Sequence, residues 1–230
     1  MNEIIRNFAV FEGGDGSGTS TQLSLLEKRL AGLSENAAVP GGPVFYPTFE
    51  PTEGPVGKLV RSALKKEISL RPESLARLFT ADRTEHLFAP GGILERCRRG
   101  ELVVSDRYAL SSLVYQGIEC GDELPHSLNA SFPLPELLLF FDIDPEIACG
   151  RIQNRPFPEI YEYREFQQRV REKYKALLGE YEKAGVRVET LDAAKSAGDV
   201  AEDVWRALEK MPILRGREKL VRSGENQGGG

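Results

Sequence analysis

A glycine-rich segment near the start of the chain most constrains how this protein can fold. The stretch FAVFEGGDGSGTSTQLSLLEKRL, residues 8–30, reads as a strand, a glycine-rich turn and a helix. Glycine lets successive backbone N–H groups turn inward on phosphate oxygens, and the helix that follows adds its positive N-terminus. The segment therefore predicts a phosphate cradle between the first strand and the first helix.

Short apolar runs alternate with helical patterns along the chain, which indicates an α/β protein with a parallel sheet and crossover helices. The strands are predicted at residues 7–12, 44–48, 101–106, 137–143 and 186–191. The helices are predicted at residues 21–32, 56–66, 73–86, 146–154, 164–184 and 199–210. We expect one domain over residues 1–215, and the composition of residues 216–230 predicts a disordered tail.

Composition and charge exclude several classes of function. The net charge of −5 offers no basic surface for nucleic acid, so a bound anion must meet a local site. The three cysteines, Cys97, Cys120 and Cys149, lack metal-type spacing and favour a reducing compartment. No apolar run is long enough for a signal-peptide core or a membrane span. We expect a cytoplasmic protein with neither nucleic acid nor membrane as partner.

Residues 13–20 match the phosphate-loop pattern G-x-x-x-x-G-[K]-[ST] at each defined position except the lysine, which is Thr19 here. The backbone supplies most of such a cradle, so the loss is one point charge near the β- and γ-phosphates. Ser20 can still bind Mg²⁺. An ordinary glycine turn before a helix is the alternative. The predicted ATP-binding residues here are Gly13, Gly14, Asp15, Gly16, Ser17, Gly18, Thr19, Ser20 and Thr21.

A second motif, SDRYALSSLVYQG, follows the third predicted strand. It places Asp106 at the carboxyl end of an apolar strand, where α/β sheets bind ligands, and a carboxylate there can hold Mg²⁺ directly or through water. Arg107 beside it offers a planar fork suited to a phosphate. The alternative is that Asp106 caps a helix and Arg107 pairs with a surface acid.

The chain resembles the thymidylate kinase family over about residues 8–204. The resemblance rests on residues 11–18, FEPTEGPVGKLV, LFTADRTEHL, SDRYALSSLVYQG and LLLFFDIDPEIACGRI, in the family's order and spacing. It implies a three-layer P-loop nucleoside monophosphate kinase fold with a five-stranded parallel sheet and a short lid at about residues 151–164. It also implies transfer of the γ-phosphate of Mg-ATP to dTMP, giving dTDP for dTTP synthesis, by a homodimer.

The resemblance also implies which residues bind dTMP. They are Asp15, Glu50, Phe79, Arg83, Arg107, Ser111, Ser112, Tyr115 and Gln116. Phe79 would stack on thymine, although packing in the core is the alternative for this aromatic. Arg83 would donate to the O4 atom of the base, and Tyr115 would exclude a 2′-hydroxyl. Phe49 stands where the family has an arginine, so the phosphate contact expected there is missing.

The predicted catalytic residues are Asp15, Arg107 and Arg155, with Mg²⁺ at Ser20 and Asp106. Arg151, a predicted ATP ligand, and Arg155 are four residues apart and share one helix face. Arg155 is expected to close over the γ-phosphate and supply part of the charge that Thr19 lacks. Two alternatives stay open: a weak or inactive nucleotide-binding homologue, and a kinase for a different nucleoside monophosphate.

Overall fold

A computed structural model describes residues 3–35, 44–152 and 164–215 of the chain. Five strands pair in parallel in the order β2-β3-β1-β4-β5. Their bounds are β1 (Ile4–Gly13), β2 (Phe45–Phe49), β3 (Leu102–Asp106), β4 (Leu134–Asp142) and β5 (Arg187–Asp192). The predicted α/β fold with a five-stranded parallel sheet is confirmed.

Nine helices lie within the described ranges. They are α1 (Thr19–Glu35), α2 (Pro55–Leu64), α3 (Pro72–Phe88), α4 (Ile93–Arg98), α5 (Ala109–Cys120), α6 (Glu123–Asn129), α7 (Pro145–Ile152), α8 (Arg164–Lys183) and α9 (Ala197–Leu208). Helices α1 and α9 contribute to the hydrophobic core on one face of the sheet. Helices α2, α3, α5 and α8 contribute to the core on the other face, with α4 beside them. The sheet is therefore the middle of three layers.

The central strand shows why both faces need helices. Ala9 and Phe11 of β1 belong to the core on the α1 side, whereas Phe8 and Val10 belong to the core on the opposite side. All four side chains are fully buried. Continuous apolar runs of this kind are typical of parallel strands covered on both faces.

The order of the strands determines where along the edge of the sheet a ligand site can form. Strand β1 lies between β3 and β4, so the chain crosses the sheet in opposite directions on its two sides, and a crevice opens at the carboxyl ends. In register, Phe11 of β1 is the partner of Asp106 of β3, and Phe49 of β2 is the partner of that same Asp106. The glycine loop, the Asp106 turn and the end of β2 therefore meet at one edge.

Sequence analysis missed three helices and misplaced several ends. Helices α4 and α6 have six and seven residues, too few for a helical period to show. Helix α5 is mostly buried, so its sequence ALSSLVYQGIEC has no exposed polar face to reveal it. Helix α1 begins at Thr19 and strand β1 at Ile4, both earlier than predicted.

Two predicted segments need separate mention. The disordered tail predicted at residues 216–230 and most of the predicted lid, residues 153–163, lie outside the described residues. Within the described ranges, no helix has the combined length and apolar character that crossing a membrane requires.

Helix α2 approaches the loop that follows β2 very closely. A Cβ atom added at Gly57 would lie 2.0 Å from the carbonyl oxygen of Thr52. Thr52 is itself held, because its backbone N–H donates to Asp82 Oδ2 over 2.7 Å and its hydroxyl donates to Asp82 Oδ1. The loop cannot move aside without breaking these bonds to helix α3.

We expect Gly57→Ala to lower the free energy of unfolding by about 1–3 kcal/mol, the usual effect of overpacking a tight site. The control is Gly179→Ala in the interior of α8, where an added Cβ meets nothing within 4 Å. There the better helix propensity of alanine should raise stability by up to about 1 kcal/mol. Urea unfolding of both variants is the measurement, and an unchanged midpoint for Gly57→Ala would contradict the close approach.

Candidate active site

A cleft of about 1000 Å³ opens at the carboxyl edge of the sheet. The glycine loop and α1 line one part of it, and the end of β2 with helices α2, α3 and α5 lines another. Arg151 of α7 and residues 195–197, just before and at the start of α9, complete the wall. One cleft therefore joins the glycine loop, the Asp106 turn and the base-binding residues predicted on α3 and α5.

The glycine loop packs too tightly for an ordinary surface turn. Gly16 and Gly18 have φ angles of +83° and +92°, a left-handed conformation that side chains rarely adopt. A Cβ at Gly16 would lie 2.5 Å from the carbonyl oxygen of Ala148 in α7. Thr19, buried with 6% exposure, then begins α1. This geometry favours the interpretation as a cradle over the ordinary turn.

Ser20 and Asp106 bring two oxygen-bearing side chains together beside the loop. The Ser20 hydroxyl donates to Asp106 Oδ2 over 2.5 Å, and Asp106 Oδ1 has no hydrogen-bond partner among the described residues. Hydroxyl and carboxylate oxygens suit Mg²⁺, which commonly takes one or two carboxylates with water and substrate phosphates. The residues therefore fit Mg²⁺ held together with a nucleotide, although no cluster of three or more metal-ligating side chains occurs in the described ranges.

The alternative roles weighed for Asp106 and Arg107 are wrong. The carboxylate of Asp106 contacts Ser20, and Tyr108 is the N-cap residue of α5. Arg107 does not reach a surface acid, because its Nη2 donates to Asp15 Oδ1 of the glycine loop over 2.6 Å. Its Nη1 donates to the carbonyl oxygen of Gly13 over 2.9 Å.

The backbone of Arg107 is turned to make these contacts. Its φ is +74°, a left-handed conformation that costs a residue with a side chain about 1–3 kcal/mol. Two hydrogen bonds hold it: the Arg107 N–H donates to Phe11 O over 2.8 Å, and the Ser105 hydroxyl donates to Arg107 O over 2.7 Å. Strain of this kind is often found at ligand sites, where the surrounding structure enforces it.

Asp15 is also held by Gln167 of α8. The Asp15 N–H donates to Gln167 Oε1 over 3.0 Å, and Gln167 Nε2 donates to Asp15 Oδ2 over 2.9 Å. Sequence analysis did not single out Gln167. Nothing in the sequence marks it, since it is a buried amide on one face of a long helix.

Arg83 and Glu50 form a buried ion pair in the cleft wall. Nε and Nη2 of Arg83 donate to Glu50 Oε2 over 2.9 and 2.7 Å. Nη2 also donates to Ser112 Oγ, and Nη1 donates to Asn129 Oδ1. Burial by itself would raise the pKa of Glu50, but the Arg83 guanidinium and the hydrogen bond with His86 hold it below its ordinary value. Asn129 was missed because it lies far from the motif residues in sequence, whereas His86 stands within LFTADRTEHL but was assigned no role.

Three other predicted dTMP-binding residues, Phe79, Tyr115 and Gln116, also line the cleft. Phe79 is half-buried, packs against the core and also lines the cleft. Its position is thus compatible with core packing and with stacking on a base. The ring of Tyr115 lies 5.2 Å from the guanidinium of Arg107. Gln116 is 1% exposed, and its Oε1 has no hydrogen-bond partner among the described residues.

Glu12, which sequence analysis did not assign to the site, lies beneath the cleft. Its carboxylate accepts hydrogen bonds from the N–H groups of Tyr108 and Ser111, at 3.0 and 3.3 Å, at the start of α5. It also accepts from the hydroxyls of Ser111 and Tyr174, at 2.6 and 2.9 Å. Burial raises the pKa of Glu12 to about 7, because these bonds and the charge of Arg107 offset only part of the desolvation. The one sequence feature that could have identified Glu12 is its position as an acid directly after the apolar run of the first strand.

The remaining predicted residues fall at two places. Arg151 lines the cleft and donates from Nη1 to the carbonyl oxygen of Ala193 over 3.0 Å. Arg155, predicted to close over the γ-phosphate, lies outside the described residues.

Comparison with known proteins agrees with the resemblance. The family model described as thymidylate kinase matches residues 11–204. A putative thymidylate kinase of Treponema pallidum is 42% identical over 176 residues, which are 76% of this chain and 80% of that protein. A probable thymidylate kinase of Pyrobaculum aerophilum is 39% identical over 205 residues, covering 89% of this chain and 97% of that protein.

The raised pKa of Glu12 predicts a specific dependence of stability on pH. The folded state binds the proton more tightly than the unfolded state, whose pKa is near the ordinary 4.5. The contribution of this group is therefore greatest below pH 4.5 and is lost as pH rises to about 7. The shift corresponds to about 3 kcal/mol in total.

We expect Glu12→Gln to remove this loss, because glutamine does not titrate. The measurement is urea unfolding of both proteins from pH 5 to pH 8, and the wild type should lose stability relative to the variant across that range. Glu85→Gln, at an exposed position of α3, is the control and should follow the wild type. Parallel curves for wild type and Glu12→Gln would contradict the assignment.

Proposed function

The chain belongs to the thymidylate kinase family, and we propose that it transfers the γ-phosphate of Mg-ATP to dTMP, giving dTDP for dTTP synthesis. The contact between Arg107 and Asp15 supports this proposal most directly. It brings a cation suited to an acceptor phosphate against the loop that would hold the donor phosphates. The two phosphates that must meet in the reaction would then lie in one cleft.

On the donor side, the glycine loop would bind the ATP phosphates with its backbone N–H groups and the N-terminus of α1. Arg151 and the wall at residues 195–197 would contact the remainder of ATP. Ser20 and Asp106 would hold Mg²⁺, which when bound neutralises charge on the transferring phosphoryl group.

On the acceptor side, Arg107 would bind the dTMP phosphate. Asp15 would both orient Arg107 and accept a hydrogen bond from the 3′-hydroxyl of the sugar. The contacts of Arg107 with Asp15 and Gly13 restrict its guanidinium before any ligand binds, which favours tight binding because less side-chain entropy is lost.

Base recognition would come from the other end of the cleft. Arg83 is oriented by Glu50, Ser112 and Asn129, so it can present a donor to the O4 atom of thymine. Cytosine carries an amino group at that position and cannot accept this bond. Gln116 Oε1, buried and without a partner among the described residues, is suited to the N3–H of thymine. Phe79 would stack on the ring, and Tyr115 would contact the sugar.

We propose that the enzyme is active but slowed by the absence of the loop lysine. The retained arrangement of Ser20, Asp106, Asp15 and Arg107 in one cleft favours a working enzyme over an inactive binding homologue. Losing one preorganised donor to a transition state typically costs about 10²–10³ in rate, which leaves most of an enzyme's acceleration in place. Arg155 would supply part of the missing charge. The cytoplasmic location and the homodimer stay predictions.

The proposed function is tested by ADP release in a coupled assay with dTMP, dUMP, dCMP, dGMP and AMP as acceptors. We expect the highest kcat/KM with dTMP. The value with dUMP should be lower by about fourfold to tenfold for want of the methyl group. The value with dCMP should be at least about 100-fold lower, since Arg83 and Gln116 would lose their partners. A preference for dCMP or AMP would refute the thymidine assignment.

Replacing Thr19 tests the effect of the missing lysine. Thr19→Lys should raise kcat at least about tenfold, because it adds a cation where charge develops during transfer. Thr19→Met is the control, since it adds a side chain of similar length without charge and should not raise kcat. Steady-state rates with saturating Mg-ATP and dTMP are the measurement. An unchanged kcat in Thr19→Lys would show that the absent lysine does not limit the rate.

A further inference from the structure

Most of the N–H groups of Arg83 already donate within the protein. Its Nε and Nη2 donate to Glu50 Oε2, and Nη2 also donates to Ser112 Oγ over 3.1 Å. Nη1 donates to Asn129 Oδ1. In the described part of the chain, these bonds use every N–H of the guanidinium except one on Nη1. Recognition of a base by Arg83 therefore depends on where this free donor points.

Two aromatic rings hold the guanidinium of Arg83 but leave its direction open. It lies 5.3 Å from the centre of the Tyr108 ring and 5.6 Å from that of the Phe132 ring. The attraction of a cation to a ring face changes little when the cation turns within its own plane. The direction of the donors must therefore be set by the oxygen atoms around the guanidinium, and two of its bonds go to one oxygen of Glu50.

His86 of α3 holds the carboxylate of Glu50 in turn. His86 Nδ1 lies 3.1 Å from Glu50 Oε1, the oxygen that Arg83 does not contact. An ionised carboxylate only accepts hydrogen bonds, so Nδ1 carries the proton and donates. His86 Nε2 lies 2.6 Å from the hydroxyl oxygen of Thr48 in β2, and this hydroxyl can donate to it. The imidazole ring therefore links Glu50 to the central part of the sheet.

His86 lies behind the cleft wall and does not itself face a ligand. Its side chain is 8% exposed, and the cleft is lined by Glu50 and Arg83 but not by His86. Without the bond from Nδ1, Glu50 Oε1 would be a buried acceptor with no partner in the described part of the chain. The carboxylate would then turn toward another donor, and the guanidinium bonded to it would turn as well.

We propose that His86 is a positioning residue for base recognition, which fixes Glu50 and thereby the direction of the free Nη1 donor of Arg83. The proposal rests on the proposed function, since it takes O4 of thymine as the atom that this donor meets. Cytosine presents an amino group there. A guanidinium held in one direction therefore favours dTMP over dCMP, whereas one that can turn away loses the bond to dTMP and relieves the repulsion of dCMP.

Two substitutions separate the two nitrogens of the His86 ring. The amide nitrogen of asparagine lies about as far along the side chain as Nδ1, so His86→Asn keeps a donor for Glu50. The amide nitrogen of glutamine lies about as far as Nε2, so His86→Gln keeps the contact with Thr48 and leaves Glu50 without its donor. The Kd values of dTMP, dCMP and ATP are measured by calorimetry on the full chain, with dCMP in competition with dTMP.

In His86→Gln we expect the dTMP Kd to rise about tenfold, and the dCMP Kd divided by the dTMP Kd to fall about tenfold or more, the usual effect of losing one hydrogen bond to a charged group. In His86→Asn both values should stay within about threefold of the wild type. The ATP Kd should not change in either variant. A loss of folded protein would lower the binding stoichiometry and leave the ratio of the two Kd values as it is.

His126 of α6 is the other histidine of the chain and provides a matched control. It does not line the cleft, and in the described ranges its side chain makes no hydrogen bond with Glu50 or Arg83. His126→Gln therefore makes the same substitution away from the proposed contact. Its dTMP and dCMP Kd values should equal those of the wild type.

The outcomes separate this proposal from the proposed function. An equal rise of the dTMP and dCMP Kd values in His86→Gln would assign His86 to the shape of the pocket and overturn the inference. An equal loss of selectivity in His86→Asn and His86→Gln would overturn it as well, since asparagine keeps the donor. A wild type that binds dCMP as tightly as dTMP would instead refute the premise that dTMP is the acceptor.

Discussion

The ion pair between Arg107 and Asp15 joins the two turns on which the cleft is built. Arg107 Nη2, in the turn after β3, lies 2.6 Å from Asp15 Oδ1 in the glycine loop after β1. The contact depends on the left-handed backbone of Arg107. Gln167 holds the same aspartate from α8, so three elements converge on one carboxylate. A shift of Asp15 would therefore break contacts with the turn after β3 and with α8 together. This explains how the cleft can keep its shape before a ligand binds.

Two buried carboxylates, Glu50 in the cleft wall and Glu12 beneath the cleft, show that the partner of a buried acid decides the direction of its pKa shift. Glu50 faces the guanidinium of Arg83 directly, and its pKa falls although burial opposes this. Glu12 accepts mainly neutral hydroxyl and N–H donors, so desolvation prevails and its pKa rises to about 7. Glu50 therefore orients a charged side chain in the cleft wall. Glu12 instead holds the start of α5, from which Ser111 and Tyr115 extend toward the site.

Three of the arginines that line the cleft differ in how strongly an acid of the protein neutralises their charge. Arg83 is buried against Glu50, and Arg107 is bound to Asp15, so both are oriented by acids within the protein. Arg61 stacks on the Phe49 ring and donates to the carbonyl oxygen of Pro51. Its acid partner, Glu53, is largely exposed. An arginine of this kind keeps more of its charge for a ligand. The difference follows from the neighbouring elements, because all three residues are arginines on or beside helices.

Local pattern and motif were sufficient to predict the five strands, six of the nine helices in the described ranges and the glycine-rich turn between β1 and α1, because such features depend on residues that are close in sequence. The same motifs predict Ser20 and Asp106 as Mg²⁺ ligands. The resemblance predicts which residues form a pocket for the base, but sequence analysis did not single out Glu12, Gln167 or Asn129, which hold neighbouring groups of the cleft. Which partner each side chain meets depends instead on tertiary packing, which brings Arg107 to Asp15, Arg83 to Asn129 and Arg61 to Phe49. These contacts join residues far apart in the chain, and side-chain chemistry alone does not specify which of many possible partners the packing of the sheet and helices brings within a few ångströms.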